Sequence, residues 1–185
     1  DAETIITETT EKTPLDIVIV VDQSGSMAGN KLAELKKAAT TITDLVYEEA
    51  KMHNVDHRIA MVGFAMGSTT QDSGSYPKFM NSEILTTGGA PIQYSDKASA
   101  TLNNAYKNAL VSVNVNGNKN SVITTAIDSI AASGATAANI GLTMAANIFA
   151  QNSIEGTNRT RVVIFMTDGE PTSWASYDEK NVANP

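Results

Sequence analysis

Five consecutive β-branched apolar residues, Ile17, Val18, Ile19, Val20 and Val21, run directly into Asp22-Gln23-Ser24-Gly25-Ser26. A short, unbroken apolar run of this kind suits a strand buried on both faces, as in a parallel sheet with helices above and below. Such a strand requires parallel neighbours, and parallel neighbours require crossover helices. The remainder of the chain is therefore read for those elements.

It supplies them. Asn30 is placed to cap a helix, in which Leu32, Leu35, Ala39, Ile42 and Val46 recur at three- and four-residue spacing to about His53. Arg58 to Ala65 is a second apolar strand, which completes a βαβ unit. Phe79 to Thr86 reads as a short edge strand ending at Gly88 and Gly89, and Ala98 to Val113 as a region holding a helix ahead of an NVNGNKN turn. Ser121 to Ala132 is a short helix. Ala137 to Gln151 is a longer one, with Ile140, Met144, Ala145 and Ile148 on one face, and Arg161 to Thr167 is a third apolar strand. The expected fold is α/β, a doubly wound, mostly parallel sheet flanked by helices. Residues 1–13, rich in Thr and Glu, read as an incoming linker or the end of an upstream module, and residues 14–185 as the domain. Only one short segment follows the third strong strand, which would leave that strand's edge unpaired. The sequence is thus expected to be a piece of a larger unit.

Composition excludes several classes of function. With 13 Lys plus Arg against 20 Asp plus Glu, the formal charge is −7. No basic cluster offers a footprint for nucleic acid or an anionic membrane surface. There are no cysteines, so disulfides, zinc ribbons and thiol catalysis fall away. No apolar run approaches the roughly 18 residues needed to cross a bilayer, and no secretion leader is visible. At 185 residues, 42% hydrophobic and 18% charged, the chain has the size and composition of one globular domain.

Three segments carry hard oxygen donors at strand ends or helix starts. In Asp22-Gln23-Ser24-Gly25-Ser26, alternate side chains of an extended segment converge, so Asp22, Ser24 and Ser26 can meet at one point while Gly25 turns the chain. Gly134-Ala135-Thr136 precedes the helix from Ala137, and Thr167-Asp168-Gly169-Glu170-Pro171 ends the third strong strand. If the first strand and that last one lie side by side, with crossovers leaving in opposite directions, Asp22 and Asp168 face each other across the crevice where open α/β sheets bind ligands. Two carboxylates and three hydroxyls make an oxygen-only site suited to Mg²⁺ or Mn²⁺ and unsuited to zinc or copper. Two carboxylates cannot over-neutralise a dication, so the metal retains a position for one more anion.

At these residues the sequence resembles the von Willebrand factor type A (VWA) domain family. DQSGSM matches the family's DxSxS signature, Thr136 in SGATAANIGL its threonine loop and Asp168 in TDGEP its aspartate, the three parts of the metal-ion-dependent adhesion site. The match spans Leu15 to about Thr172. The resemblance implies a Rossmann-like fold in which Ser24, Ser26 and Thr136 ligate a metal, Mg²⁺ with Mn²⁺ or Ca²⁺ as alternatives. Asp22 and Asp168 would bind it directly or through water, and a partner protein's carboxylate would complete the octahedron. Family members normally continue through two further strands with their helices. The Thr-rich lead-in and the lack of cysteine look most like Gram-positive cell-surface and pilus adhesins of the family. That implies a host matrix or cell-surface protein as partner, a place in a longer multidomain chain, and no enzymatic activity.

Blander readings accompany each residue. Asp22, Ser24 and Ser26 fit a capping turn, Asp168-Gly169 a simple turn, and Thr136 a helix cap. Glu170, Trp174 and Tyr177 follow Asp168 on a loop at the same face, where Trp174 is either a binding anchor or a packed residue. The loop 67–77 borders that face as a specificity element or a solvated connection. His53 and His57 read as surface residues at the opposite edge, and Asn158-Arg159-Thr160 fits a glycosylation pattern short enough to arise by chance. Competing functions are a structural pilus module stabilised by metal, an intracellular assembly subunit, and a Mg²⁺-dependent phosphohydrolase. The last lacks a P-loop and has no Lys or Arg within the three segments.

Overall fold

A computed structural model describes residues 12–65, 78–93, 100–169, 171–172, 174–175 and 182–183. The apolar run forms β1 (Leu15–Asp22), with residues 17–22 buried. It is followed by α1 (Asn30–His53), β2 (Arg58–Phe64), β3 (Lys78–Ile84), β4 (Ala90–Gln93), α2 (Ala100–Lys107), β5 (Val111–Ser112), β6 (Asn114–Val115) and β7 (Asn118–Lys119). Then come α3 (Ser121–Ser129), α4 (Ala138–Gln151), β8 (Thr160–Met166), β9 (Trp174–Ala175) and β10 (Val182–Ala183).

The main sheet runs β4-β3-β2-β1-β8, with β5 also paired to β2. β1 lies parallel to β2 from Asp16↔Arg58 to Asp22↔Phe64, and parallel to β8 from Leu15↔Thr160 to Val21↔Met166. The doubly wound arrangement is therefore present, and β8 stands at the edge of the described sheet. Helices α1 and α3 cover the face carrying Ile17, Ile19 and Val21, while α2 and α4 cover the face carrying Val18 and Val20. The crossover to β2 and the helix preceding β8 thus lie on opposite faces, which opens the crevice at the C-terminal ends of β1 and β8. Gly141 lets α4 lie close on β1: a Cβ there would meet Val20 Cγ1 at 2.5 Å and Phe64 Cδ1 at 2.8 Å.

Four expectations are corrected. The segment read as an edge strand, 79–86, is interior: β3 lies antiparallel between β2 and β4, and its last turn, Leu85–Thr87, is 3₁₀. Asn30 is the first helical residue of α1 rather than its cap; Gly29 caps the helix, with φ of 79°. β8 is apolar but only half covered, with Val163 and Phe165 exposed and Val162, Ile164 and Met166 packed against the α1–α3 core.

The fourth concerns His57. His53 is exposed as expected, but His57 is 1% exposed. Its Nδ1 accepts the Leu15 N–H at 3.0 Å, and its own carbonyl accepts the Val113 N–H at 2.9 Å, so it joins the start of β1 to the start of β2 and the strand region after α2. Burial lowers its pKa against the opposing pull of Glu49, whose Oε2 is 4.0 Å from Nε2.

At the same end, Asp16 accepts two hydrogen bonds from Arg58, both at 2.7 Å, and one from Arg159 Nε at 2.8 Å. The centre of the Asn158-Arg159-Thr160 pattern is thus a structural cation. Loop 67–77, Glu170, Tyr177 and the Trp174 side chain lie outside what the structure describes, as do residues 1–11.

Candidate functional site

Asp22 is the last residue of β1 and fully buried. Its Oδ1 accepts the Ser24 N–H at 2.8 Å, the local turn bond that a simple capping reading anticipates. Its Oδ2 accepts the Thr167 hydroxyl at 2.6 Å, a contact across 145 residues that no local turn explains. Among the described residues every partner of this carboxylate is neutral. Ser24 occupies the N-cap position of the short 3₁₀ turn Gly25–Met27, yet its side chain does not cap it. Instead Ser24 Oγ lies 3.0 Å from Ser26 Oγ, and the Ser26 hydroxyl donates to Asp168 Oδ1, also at 3.0 Å.

Four of the five expected residues, Asp22, Ser24, Ser26 and Asp168, are thereby joined in one network at the C-terminal ends of β1 and β8. Asp22 and Ser24 are its buried part, the Asp168 side chain is 12% exposed, and Ser26 is open to solvent. Thr136 stands one step aside. Its loop is docked on the first by Gly25 N–H to Gly134 O, 2.7 Å, and by Ser133 N–H to Gln23 O, 2.8 Å. It is 5% exposed, and no hydrogen bond joins its hydroxyl to the other four. The cap of α4 is Ala137, without a side-chain bond, so a capping role does not account for Thr136.

Sequence reasoning missed the residues that hold this arrangement. Gln23 is buried between Asp22 and Ser24 and spans three segments: its Nε2 donates to Glu83 Oε1 at 3.2 Å, its Oε1 accepts the Ala131 N–H at 3.1 Å, and its backbone N–H donates to Phe64 O at 2.8 Å. Thr172 Oγ1 accepts the Thr136 N–H at 2.9 Å, and the Thr172 N–H returns to Thr136 O at 3.0 Å, tying the second segment to the third. The positions of Thr167 and Gln23, each next to a singled-out aspartate, were the available signal. Lys31 corrects a second omission. It lies outside the three segments, but α1 carries its ammonium onto Asp168 Oδ2. That ammonium, with the Ser26 hydroxyl, holds the Asp168 carboxyl below the ordinary carboxylate range.

The donor set is two carboxylates and three hydroxyls, with no nitrogen or sulfur for a softer metal, and among the described residues no group of three or more His, Cys, Asp or Glu that could hold a metal ion is gathered. The 3.0 Å spacings among Ser24, Ser26 and Asp168 match the separation of about 3 Å between neighbouring ligands of an octahedral Mg²⁺, whose ligands lie about 2.0–2.1 Å away. The residues present therefore fit a small hard dication, with places left for water or an outside oxygen.

For an α/β domain with clustered oxygens at its switch point, the family can be stated. Residues 16–184 match the model of the von Willebrand factor type A domain, and the chain belongs to that family. Among solved structures it is similar to the pilus adhesin SpaC from Lactobacillus rhamnosus GG, at 20% identity and a TM-score of 0.51, covering 89% of this chain and 16% of that one. It is also similar to the vWF domain of the type V pili tip protein Mfa5 from Porphyromonas gingivalis, at 21% identity and a TM-score of 0.48, covering 88% and 40%. The pilus adhesin RrgA from Streptococcus pneumoniae follows at 19% and 0.49, covering 88% and 21%. The chain thus spans less than half the length of each of these proteins. A search of curated protein sequences finds no match.

Proposed function

We propose that this chain is the ligand-binding module of a bacterial surface or pilus adhesin, Gram-positive by its sequence resemblance, and that it holds Mg²⁺, with Mn²⁺ or Ca²⁺ as alternatives. Ser24, Ser26 and Thr136 would ligate the ion, and Asp22 and Asp168 would bind it directly or through water. When bound, the ion supplies a Lewis-acid position for a carboxylate of a host matrix or cell-surface protein. The observation that carries this reading is Asp22: a fully buried carboxylate whose partners among the described residues are all neutral, in a network whose other oxygens lead out to solvent. A buried charge is retained when something compensates it, and a cation from solution does so here. The fold likeness to pilus adhesins supports the setting, within a longer multidomain chain.

The chain's own residues do the orienting. Thr167 and the Ser24 N–H fix the Asp22 carboxylate, Thr172 fixes the backbone of Thr136, and Gln23 ties the first loop to the β3 and α3 regions. No catalytic residue is assigned. The test is titration with MgCl₂ followed by binding to a panel of immobilised matrix proteins, with and without chelator, for the wild type and Asp22→Ala. Binding lost in both chelator and variant, with the fold retained, is the expected result. Binding that survives both rejects the reading, and a metal-induced rise in melting temperature without any protein ligand favours a structural pilus role.

A further inference from the structure

The Lys31 ammonium lies where its own helix opposes it. Lys31 is in the first turn of α1, at the positive end of the helix dipole, where a cation is disfavoured and an acidic residue would be favoured. Its side chain is 57% exposed and free to turn to water, yet it reaches across 137 residues of sequence to Asp168 Oδ2. Asp168 is the outer carboxylate of the network, and the inner one, Asp22, has only neutral donors. Lys31 is thus the one charged side chain from the rest of the described protein that engages the five-oxygen site.

We infer that Lys31 is an internal counter-ion that competes with the metal for Asp168 and so sets the affinity of the site for divalent cations. The inference rests on the metal reading above. A dication that uses Asp168 must displace the ammonium or share the carboxylate with it, and in either case it meets a like charge beside its ligand. The charge balance makes the consequence explicit. Asp22, Asp168 and Lys31 sum to −1, and a bound dication brings the sum to +1. Without Lys31 the same states are −2 and 0. Lys31 therefore weakens the attraction for the cation and leaves the loaded site positive, the sign that draws a carboxylate from a partner.

The test is calorimetric titration of the whole chain with MgCl₂ and with MnCl₂, comparing the wild type, Lys31→Met and Lys36→Met. Lys36 lies on the same helix and bonds the Asp128 carbonyl, so its variant controls for a general change of charge. Lys31→Met should bind both ions about three- to tenfold more tightly, the scale of losing one exposed ion pair and its nearby charge. Lys36→Met should stay within about twofold, and the difference should shrink in about 0.5 M salt, where such contacts are screened. In chelator Lys31→Met should melt slightly below the wild type, and in saturating Mg²⁺ above it, a crossing that a purely structural ion pair would not produce. Equal or weaker metal binding by Lys31→Met overturns the inference while leaving the metal site intact. If neither protein binds Mg²⁺ or Mn²⁺, the metal site is rejected and the counter-ion role with it.

Discussion

β1 carries an aspartate at each end, six residues or about 20 Å apart, and the two are treated in opposite ways. Asp16, 3% exposed, is enclosed by two guanidinium groups, with Arg58 bidentate and Arg159 on Oδ1. Asp22, fully buried, is held by a backbone N–H and a threonine hydroxyl. At the first site burial raises the carboxyl pKa, but the Arg58 and Arg159 hydrogen bonds outweigh it and hold the group below its usual range. At Asp16 the chain supplies its own cations and the carboxylate closes the fold; at Asp22 it supplies only neutral donors, and that is the end to which the proposed metal belongs.

Breaking the closed end should have the larger effect. Asp16→Ala leaves Arg58 largely buried without its carboxylate and Arg159 with only its longer contact to Asp56, and should cost about 3–5 kcal/mol in chemical denaturation, with no dependence on added Mg²⁺. Asp22→Asn should behave conversely. In chelator its stability should lie close to that of the wild type, but it should lose the metal-induced gain, which at a hundredfold excess over Kd is about 2.7 kcal/mol, or roughly 5–10 °C of melting temperature for a domain of this size. A wild type that shows no such gain would place both aspartates in one structural class. Thr167→Val, which removes one of Asp22's two donors, should cost about 1.5 kcal/mol and weaken Mg²⁺ binding.

The smallest effect is one of pH and belongs to the closed end. Burial depresses the His57 pKa, so between that value and 6.5 the unfolded chain binds the extra proton. Stability from His57 is therefore complete above pH 6.5 and is lost as the pH falls towards the folded pKa. His57→Gln, which keeps an acceptor for the Leu15 N–H, should flatten this slope in urea titrations across that window. The Asp16 contribution should persist below it and disappear only under pH 4, as the pH falls through its depressed pKa.

What the sequence revealed follows the same division. Continuous apolar runs and three- and four-residue spacing exposed β1, β2, β8, α1 and α4, because each signal is local. The cluster of Asp22, Ser24, Ser26 and Asp168 was legible because a parallel sheet delivers strand ends to one edge. The antiparallel placement of β3 was not, since pairing partners leave no mark on a strand's own letters. His57 was misplaced because the residues it bonds, Leu15 and Val113, lie far off in the sequence. The Asp16–Arg58–Arg159 cluster and Lys31 were missed for the same reason: their partners lie 42 to 143 residues off, and a charged letter alone reads as surface.

The central position of β1 has a mechanical consequence. It is locked on both sides to parallel neighbours, seven residue pairs with β2 and seven with β8. Tension entering at Asp22 along the strand axis runs across both ladders of hydrogen bonds, so the rungs must yield in shear together rather than peel one at a time. A load applied at that strand end is therefore shared by both ladders at once.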